Sequence, residues 1–338
     1  MGIKLRKEDV DSLIRSISPK VKVFAPKVFE GKGRFSETDM IRYGEIKDLS
    51  EIVFDKKSDF SSKEIITPIT QTLFFFTEDE FKEAKGEDFT PVIILRSCDM
   101  HAIKRFDDIY LRNGFEDIYY KRVREKAKFI VIGCPNSFEN CFCVSMGTNE
   151  TDAYDAYLKV DEDFVYLDVK DKDIEEAVSS LQKMDCEVMP EFVKENTIKV
   201  DIPENIDTRI FKSTMWNEYT ERCIACGRCN FVCPTCTCYT MQDIFYKDNK
   251  NAGERRRVWA SCQVQGYTTM AGGHEFRKPN GDKMRFKVMH KVYDYKKRWG
   301  YHMCTGCGRC DDICPQYISM PGAVNKLRKA MDEVTSNE

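Results

Sequence analysis

The sequence predicts an α/β domain with a mostly parallel sheet over residues 1–205. An α-helical domain built on two cysteine boxes follows over 206–338. Three observations predict it. Two continuous apolar runs, Pro91–Leu95 and Lys128–Gly133, flank a helical stretch, as buried parallel strands joined by a crossover do. The run Cys223-Ile-Ala-Cys226-Gly-Arg-Cys229-Asn-Phe-Val-Cys233-Pro234 recurs as Cys304-Thr-Gly-Cys307-Gly-Arg-Cys310-Asp-Asp-Ile-Cys314-Pro315. A linker-like stretch, Glu191 to Asp207, separates the two patterns and places the boundary near Asn205.

Taken in order, Val10, Leu13, Ile14 and Ile17 give an amphipathic helix over Glu8–Ile17. Val21–Phe29 reads as a strand, with a turn at Gly31–Gly33 and a loop at residues 56–62. Ile65–Phe76 is rich in β-formers, and Pro68 suggests an edge or a bulge. Residues 101–126 read as one helix, with Ile103, Phe106, Ile109 and Tyr110 on one face. Gly147–Asp155 is a polar loop, and Asp173–Met184 repeats the helical pattern. In the second domain the spacing predicts helices at Met241–Tyr246 and Met284–Trp299. The first cysteines of the boxes lie 81 residues apart (304 minus 223). That separation suits a helical ferredoxin-like domain with an inserted loop.

Each box has the C-x2-C-x2-C-x3-C-P spacing that holds 4Fe-4S clusters. Three thiolates in one tight loop bind three corners of a cubane, and in two-cluster proteins the fourth ligates the other cluster. Cys223, Cys226, Cys229 and Cys314 are therefore expected to hold one cluster. Cys304, Cys307, Cys310 and Cys233 are expected to hold the second. Two zinc knuckles are the competing reading, and the two full four-cysteine runs leave little room for them. Two such clusters imply electron transfer, and no catalytic residue is evident.

Both apolar strands end in cysteine, at Arg96-Ser97-Cys98-Asp99 and at Cys134-Pro135. Cys141 and Cys143 follow closely. Sites in open α/β sheets lie beyond the carboxyl ends of strands. Cys98, Cys134, Cys141 and Cys143 are thus candidates for a third 4Fe-4S cluster, with Asp99 as an alternative ligand. Four buried thiols acting as small hydrophobes are the rival reading. No G-x-G-x-x-G follows either strand, so a dinucleotide fingerprint is absent.

Three more cysteines, Cys236, Cys238 and Cys262, read as buried thiols beside a cluster, with tuning of its potential through polarity and hydrogen bonding as the alternative, and Cys186 as packing. Glu254–Arg257 reads as a solvated charge run that is also suited to an acidic partner or a reduced cluster. His274, beside two glycines, reads as part of a structural loop.

The net charge of −3 and pI near 6.0 imply no nucleic-acid partner. No apolar run reaches membrane-span length, and the charged first twenty residues exclude a secretory signal core. Sixteen cysteines without an export signal point to a reducing cytoplasm.

Several segments together resemble the iron–sulfur electron-transfer subunit of anaerobic sulfite reductase. They are Arg34–Asp39, Thr67–Phe74, Ser137–Asn149, Cys233–Tyr239, Gly253–Arg257, Met270–His274 and the second box. The resemblance covers essentially the whole chain, and its Ser137–Asn149 and Gly253–Arg257 segments are the sharpest. More distantly the chain is similar to the β subunits of cytoplasmic sulfhydrogenases. The first resemblance implies a cytoplasmic hetero-oligomer. A flavoprotein subunit carrying FAD would oxidise NADH, this chain would relay the electrons, and a sirohaem subunit would reduce sulfite to sulfide. The isolated chain is then not expected to reduce sulfite. The alternatives are an electron-transfer subunit of a hydrogenase or sulfhydrogenase, and a non-enzymatic iron–sulfur redox sensor.

Overall fold

A computed structural model describes residues 2–86 and 88–336. Its strands, in chain order, are β1 (Gly2–Arg6), β2 (Val21–Phe29), β3 (Met40–Glu45), β4 (Thr70–Phe76), β5 (Phe81–Glu83), β6 (Thr90–Arg96), β7 (Lys128–Ile132), β8 (Ala156–Val160), β9 (Phe164–Val169), β10 (Lys183–Asp185), β11 (Tyr239–Phe245) and β12 (Gly253–Trp259). The chain divides into two units. The first comprises Met1–Thr67, Gly86–Phe138 and Gly147–Asn196, and the second Pro68–Lys85, Glu139–Met146 and Thr197–Glu338. Three segments that the sequence reading placed in the first domain, 68–85, 139–146 and 197–205, fall in the unit that holds the cysteine boxes.

The first unit is an eight-stranded sheet in the order β10-β1-β9-β8-β7-β6-β2-β3. The four central strands, β8, β7, β6 and β2, run parallel, and both flanks are antiparallel. The expected crossover joins β6 to β7, with Val92 opposite Lys128 and Leu95 opposite Val131. Both faces of these strands are covered. Ile94, Ile132 and Leu158 enter one core, while Ile93, Leu95, Phe129 and Val131 enter the other. Burial on both faces is why the runs are continuously apolar rather than alternating.

The crossover holds two helices, Ser97–Leu111 and Ile118–Lys126, not the single one expected. Gly114 takes φ +109°, a backbone that L-residues avoid, and Asp117 caps the second helix by accepting from Tyr120 N at 2.9 Å. The expected 173–184 helix is also shorter. It spans Lys172–Ala177, and Lys183–Asp185 pairs with β1 instead.

The second unit is not purely helical. It contains a four-stranded antiparallel sheet in the order β11-β12-β4-β5. Met241–Tyr246, expected as helix, lies mostly in β11, whose seven residues pair with β12 from Tyr239–Trp259 to Phe245–Gly253. β12 pairs in turn with β4, far away in sequence. The charge run falls on β12 and alternates in its partners. Arg255 forks onto Asp243 at 2.6 Å, and buried Arg257 reaches Gln71 Oε1 at 2.8 Å.

The helical core gathers around Asn280–Met289, a π-helical turn at His290–Asp294, Tyr295–Trp299 and the long Met320–Ser336 helix. Trp216, Val288, Val292, Val324 and Leu327 pack at its centre. The expected Met284–Trp299 helix is present within this longer run, which Gly300 ends at φ +84°. No helix among the described residues is long and apolar enough to cross a membrane.

Candidate metal centres

Each cysteine box folds into the same loop. Ala225 (φ +54°) and Gly227 (φ +76°) in the first box match Gly306 (φ +62°) and Gly308 (φ +71°) in the second. A short helix starts after each second turn, at Arg228–Phe231 and Arg309–Asp312. The tight turns aim backbone amides at sulfur: Ala225 N donates to Cys223 Sγ at 3.4 Å and Gly306 N to Cys304 Sγ at 3.5 Å. Such bonds stabilise a thiolate and tune any bound cluster.

Two cavities lie between the loops. Cys223, Cys226, Cys229 and Cys314 line one, together with Cys310, Gln263 and Lys287. Cys304, Cys307, Cys310 and Cys233 line the other, with Phe142, Lys287 and Lys291. The last cysteine of each box thus faces the cavity of the other box.

The electrostatics are those of a site built for negative charge. Lys287 and Lys291 are 4 % and 3 % exposed, and neither forms an ion pair with a carboxylate among the described residues. Lys291 Nζ lies 3.3 Å from Cys233 Sγ and 2.8 Å from Thr235 Oγ1. Burial alone would discharge Lys287. Thiolate charge at Cys229 and Cys310, which these residues carry once they ligate metal, together with a hydrogen bond to Cys229, holds its pKa well above the ordinary lysine value. Burial pushes the Cys304 thiol up to about 11 and the Cys310 thiol well above its ordinary value. Metal coordination overrides that preference by taking the thiolate. The cysteine sulfurs lining each cavity and the buried ammonium groups beside them fit the anionic 4Fe-4S cubane in both chemistry and charge.

The sequence reading missed both lysines. A signal was available, because they lie on a helix face that also carries Met284, Val288 and Val292. Lysine there is usually taken as surface, since it is rarely buried unpaired.

The remaining thiols fall into two groups. Cys262 is buried and receives Asn230 Nδ2 at 3.0 Å and Gln263 Nε2 at 3.6 Å. The Cys238 thiol also donates to it, and these bonds draw Cys262 down to about 5. Cys236 hydrogen-bonds Cys233. All three are therefore hydrogen-bonded thiols rather than inert packing.

The four candidates for a third site divide between the units. In the first, Cys98 sits in the opening turn of the Ser97–Leu111 helix. Asp99 is fully buried and accepts from Tyr43 Oη at 3.1 Å. Cys134 Sγ lies 3.1 Å from Nη1 of Arg96, a buried guanidinium whose other bonds go to the carbonyls of Gly133, Phe54 and Lys56. In the second unit, the segment holding Cys141 and Cys143 packs on the second box. Phe142 N donates to Gly306 O at 2.8 Å, Cys141 Sγ to Cys307 O at 3.5 Å, and Asn140 Nδ2 to Asp312 Oδ1 at 2.8 Å. His274 closes a turn with Met270, whose N donates to His274 O at 2.9 Å.

These loops and cavities define an iron–sulfur electron-transfer protein of the dicluster type. Residues 222–318 match the 4Fe-4S dicluster domain. Over 307 residues the chain is 30 % identical to the sulfhydrogenase 2 subunit beta of Pyrococcus furiosus, covering 86 % of this chain and 90 % of that protein. The chain belongs to that β-subunit family. No solved structure matches it.

Proposed function

We propose that the chain is the electron-relay subunit of a cytoplasmic oxidoreductase complex of the hydrogenase or sulfhydrogenase type. The observation that carries this reading is the pair of cysteine-lined cavities sharing Cys310 and Lys287. The ligand sets are Cys223, Cys226, Cys229 with Cys314, and Cys304, Cys307, Cys310 with Cys233. Bound there, cubanes supply one-electron steps. The chain's own part is to hold them side by side, exclude water and compensate their charge. The β-subunit relative supports the partner class, because its name places it in a sulfhydrogenase.

A second reading rests on the segments shared with the electron-transfer subunit of anaerobic sulfite reductase, above all Ser137–Asn149 and Gly253–Arg257. It would place the chain between an NADH-oxidising flavoprotein and a sirohaem protein. Purification of the complex from its native source separates the readings. Nickel in a partner supports the first, and sirohaem the second. A chain recovered alone would leave only a redox sensor.

The third 4Fe-4S cluster expected from the sequence on Cys98, Cys134, Cys141 and Cys143 is not part of the proposal, because its ligands divide between the two units. Iron counting tests this: about eight irons per chain are expected for two clusters, against about twelve for three. A count of about twelve in a fully reconstituted sample, lowered by Cys141→Ala with Cys143→Ala, would restore the third site.

A further inference from the structure

The helical run from Asn280 to Trp299 places Lys283, Lys287 and Lys291 at successive i+4 positions, all buried. Side chains four apart share a helix face. Three ammonium groups therefore stand in a column, and each faces something different. Among the described residues, Lys283 Nζ bonds two neutral oxygens, Gln265 Oε1 at 2.6 Å and Asn280 Oδ1 at 3.2 Å. Lys291 borders the Cys304 cavity alone, while Lys287 borders both cavities. The carboxylate that senses Lys287, Asp311, accepts from Met320 N at 2.8 Å instead.

We propose that Lys287 is a counter-charge shared by the two clusters, raising both reduction potentials together, while Lys291 acts on the Cys304-side cluster alone. The inference rests on the ligand sets proposed above. Each reduction adds one electron to an anionic group and breaks no bond. A fixed positive charge in a water-excluded site favours the more negative, reduced form. A charge common to both sites moves their potentials in the same direction. It therefore leaves the step between them unchanged, whereas Lys291, bordering one cavity, alters that step. Lys287 is in this sense a positioning residue for charge, not a ligand.

The test is a redox titration, followed by electron paramagnetic resonance, of the iron-loaded full chain. Lys287→Met, Lys287→Arg, Lys291→Met and Lys283→Met are compared with the unaltered protein, with iron counted in each. Lys287→Met is expected to disfavour reduction of both clusters at least about tenfold, which is about 59 mV for one electron. Lys291→Met should lower one potential and Lys283→Met neither, and Lys287→Arg should restore both. Unchanged potentials in Lys287→Met at full iron content, or a shift in one cluster only, would overturn the proposal. Iron well short of about eight per chain in the unaltered protein would instead sink the ligand assignment. Should Lys287→Met lose iron, Lys287→Gln keeps a donor toward Cys229 and removes only the charge. Loss of iron from both, but not from Lys287→Arg, would still assign the role to charge. Loss from Lys287→Arg as well would make Lys287 a packing residue and end the proposal.

Discussion

Gly306 offers the sharpest test of how the second box is built. Its φ is +62°, and a Cβ there would lie 2.6 Å from the carbonyl carbon and oxygen of Phe142 and 2.7 Å from Cys143 Cα. Backbone atoms yield less readily than the tip of a side chain, so Gly306→Ala must displace the segment carrying Cys141, Phe142 and Cys143. The left-handed backbone alone costs alanine about 1–2 kcal/mol. Withdrawal of the segment breaks the 2.8 Å bond from Phe142 N to Gly306 O, worth about 1 kcal/mol. It also uncovers part of Phe142, now 1 % exposed, whose full burial is worth about 1.5–3 kcal/mol. Together these come to roughly 3–6 kcal/mol. Gly300→Ala is the control. It has φ +84°, but its Cβ would meet nothing within 4 Å, so only the backbone cost of about 1–2 kcal/mol applies. Denaturant midpoints of both variants, measured anaerobically at matched iron content, give the comparison. If Gly306→Ala loses no more stability than Gly300→Ala, the close packing of residues 139–146 on the second box is refuted.

Other outcomes follow from the same geometry. Cys233→Ser should perturb the cluster held by Cys304, Cys307 and Cys310 and spare the other; spectra damaged only on the Cys223 side would contradict the crossed ligand sets. Ala225→Gly relieves a positive φ and should gain up to about 1 kcal/mol, read from a denaturant midpoint. Burial holds the His101 pKa below its ordinary value. The unfolded state therefore binds this proton first as pH falls, so the contribution of His101 is fully present above about pH 6.5 and fades below it. His101→Asn should flatten that part of the stability–pH curve, and an unchanged slope would exclude His101 as its source.

Some features were legible in the chain because they are local. Three cysteines of each box lie within one short loop, so the 2-2-3 spacing alone specifies what they can hold. The β6–β7 crossover was legible because burial on both faces writes a continuous apolar run into Val92–Leu95 and Phe129–Ile132. Other features depend on partners distant in sequence. Met241–Phe245 has no decisive local preference. It becomes a strand because β12 pairs with it, and β12 is itself held by β4 from nearly two hundred residues away. Residues 139–146 read as a loop beyond a strand of the α/β domain until Gly306, with no side chain, lets Phe142 settle against the second box. Lys287 and Lys291 show the division most clearly. Their i+4 spacing is plain in the sequence, yet the same spacing serves a solvated helix face equally well. Only the tertiary structure turns that face inward onto the cysteine sulfurs, because a buried ammonium group needs a nearby negative charge, and local sequence does not show where that charge will be.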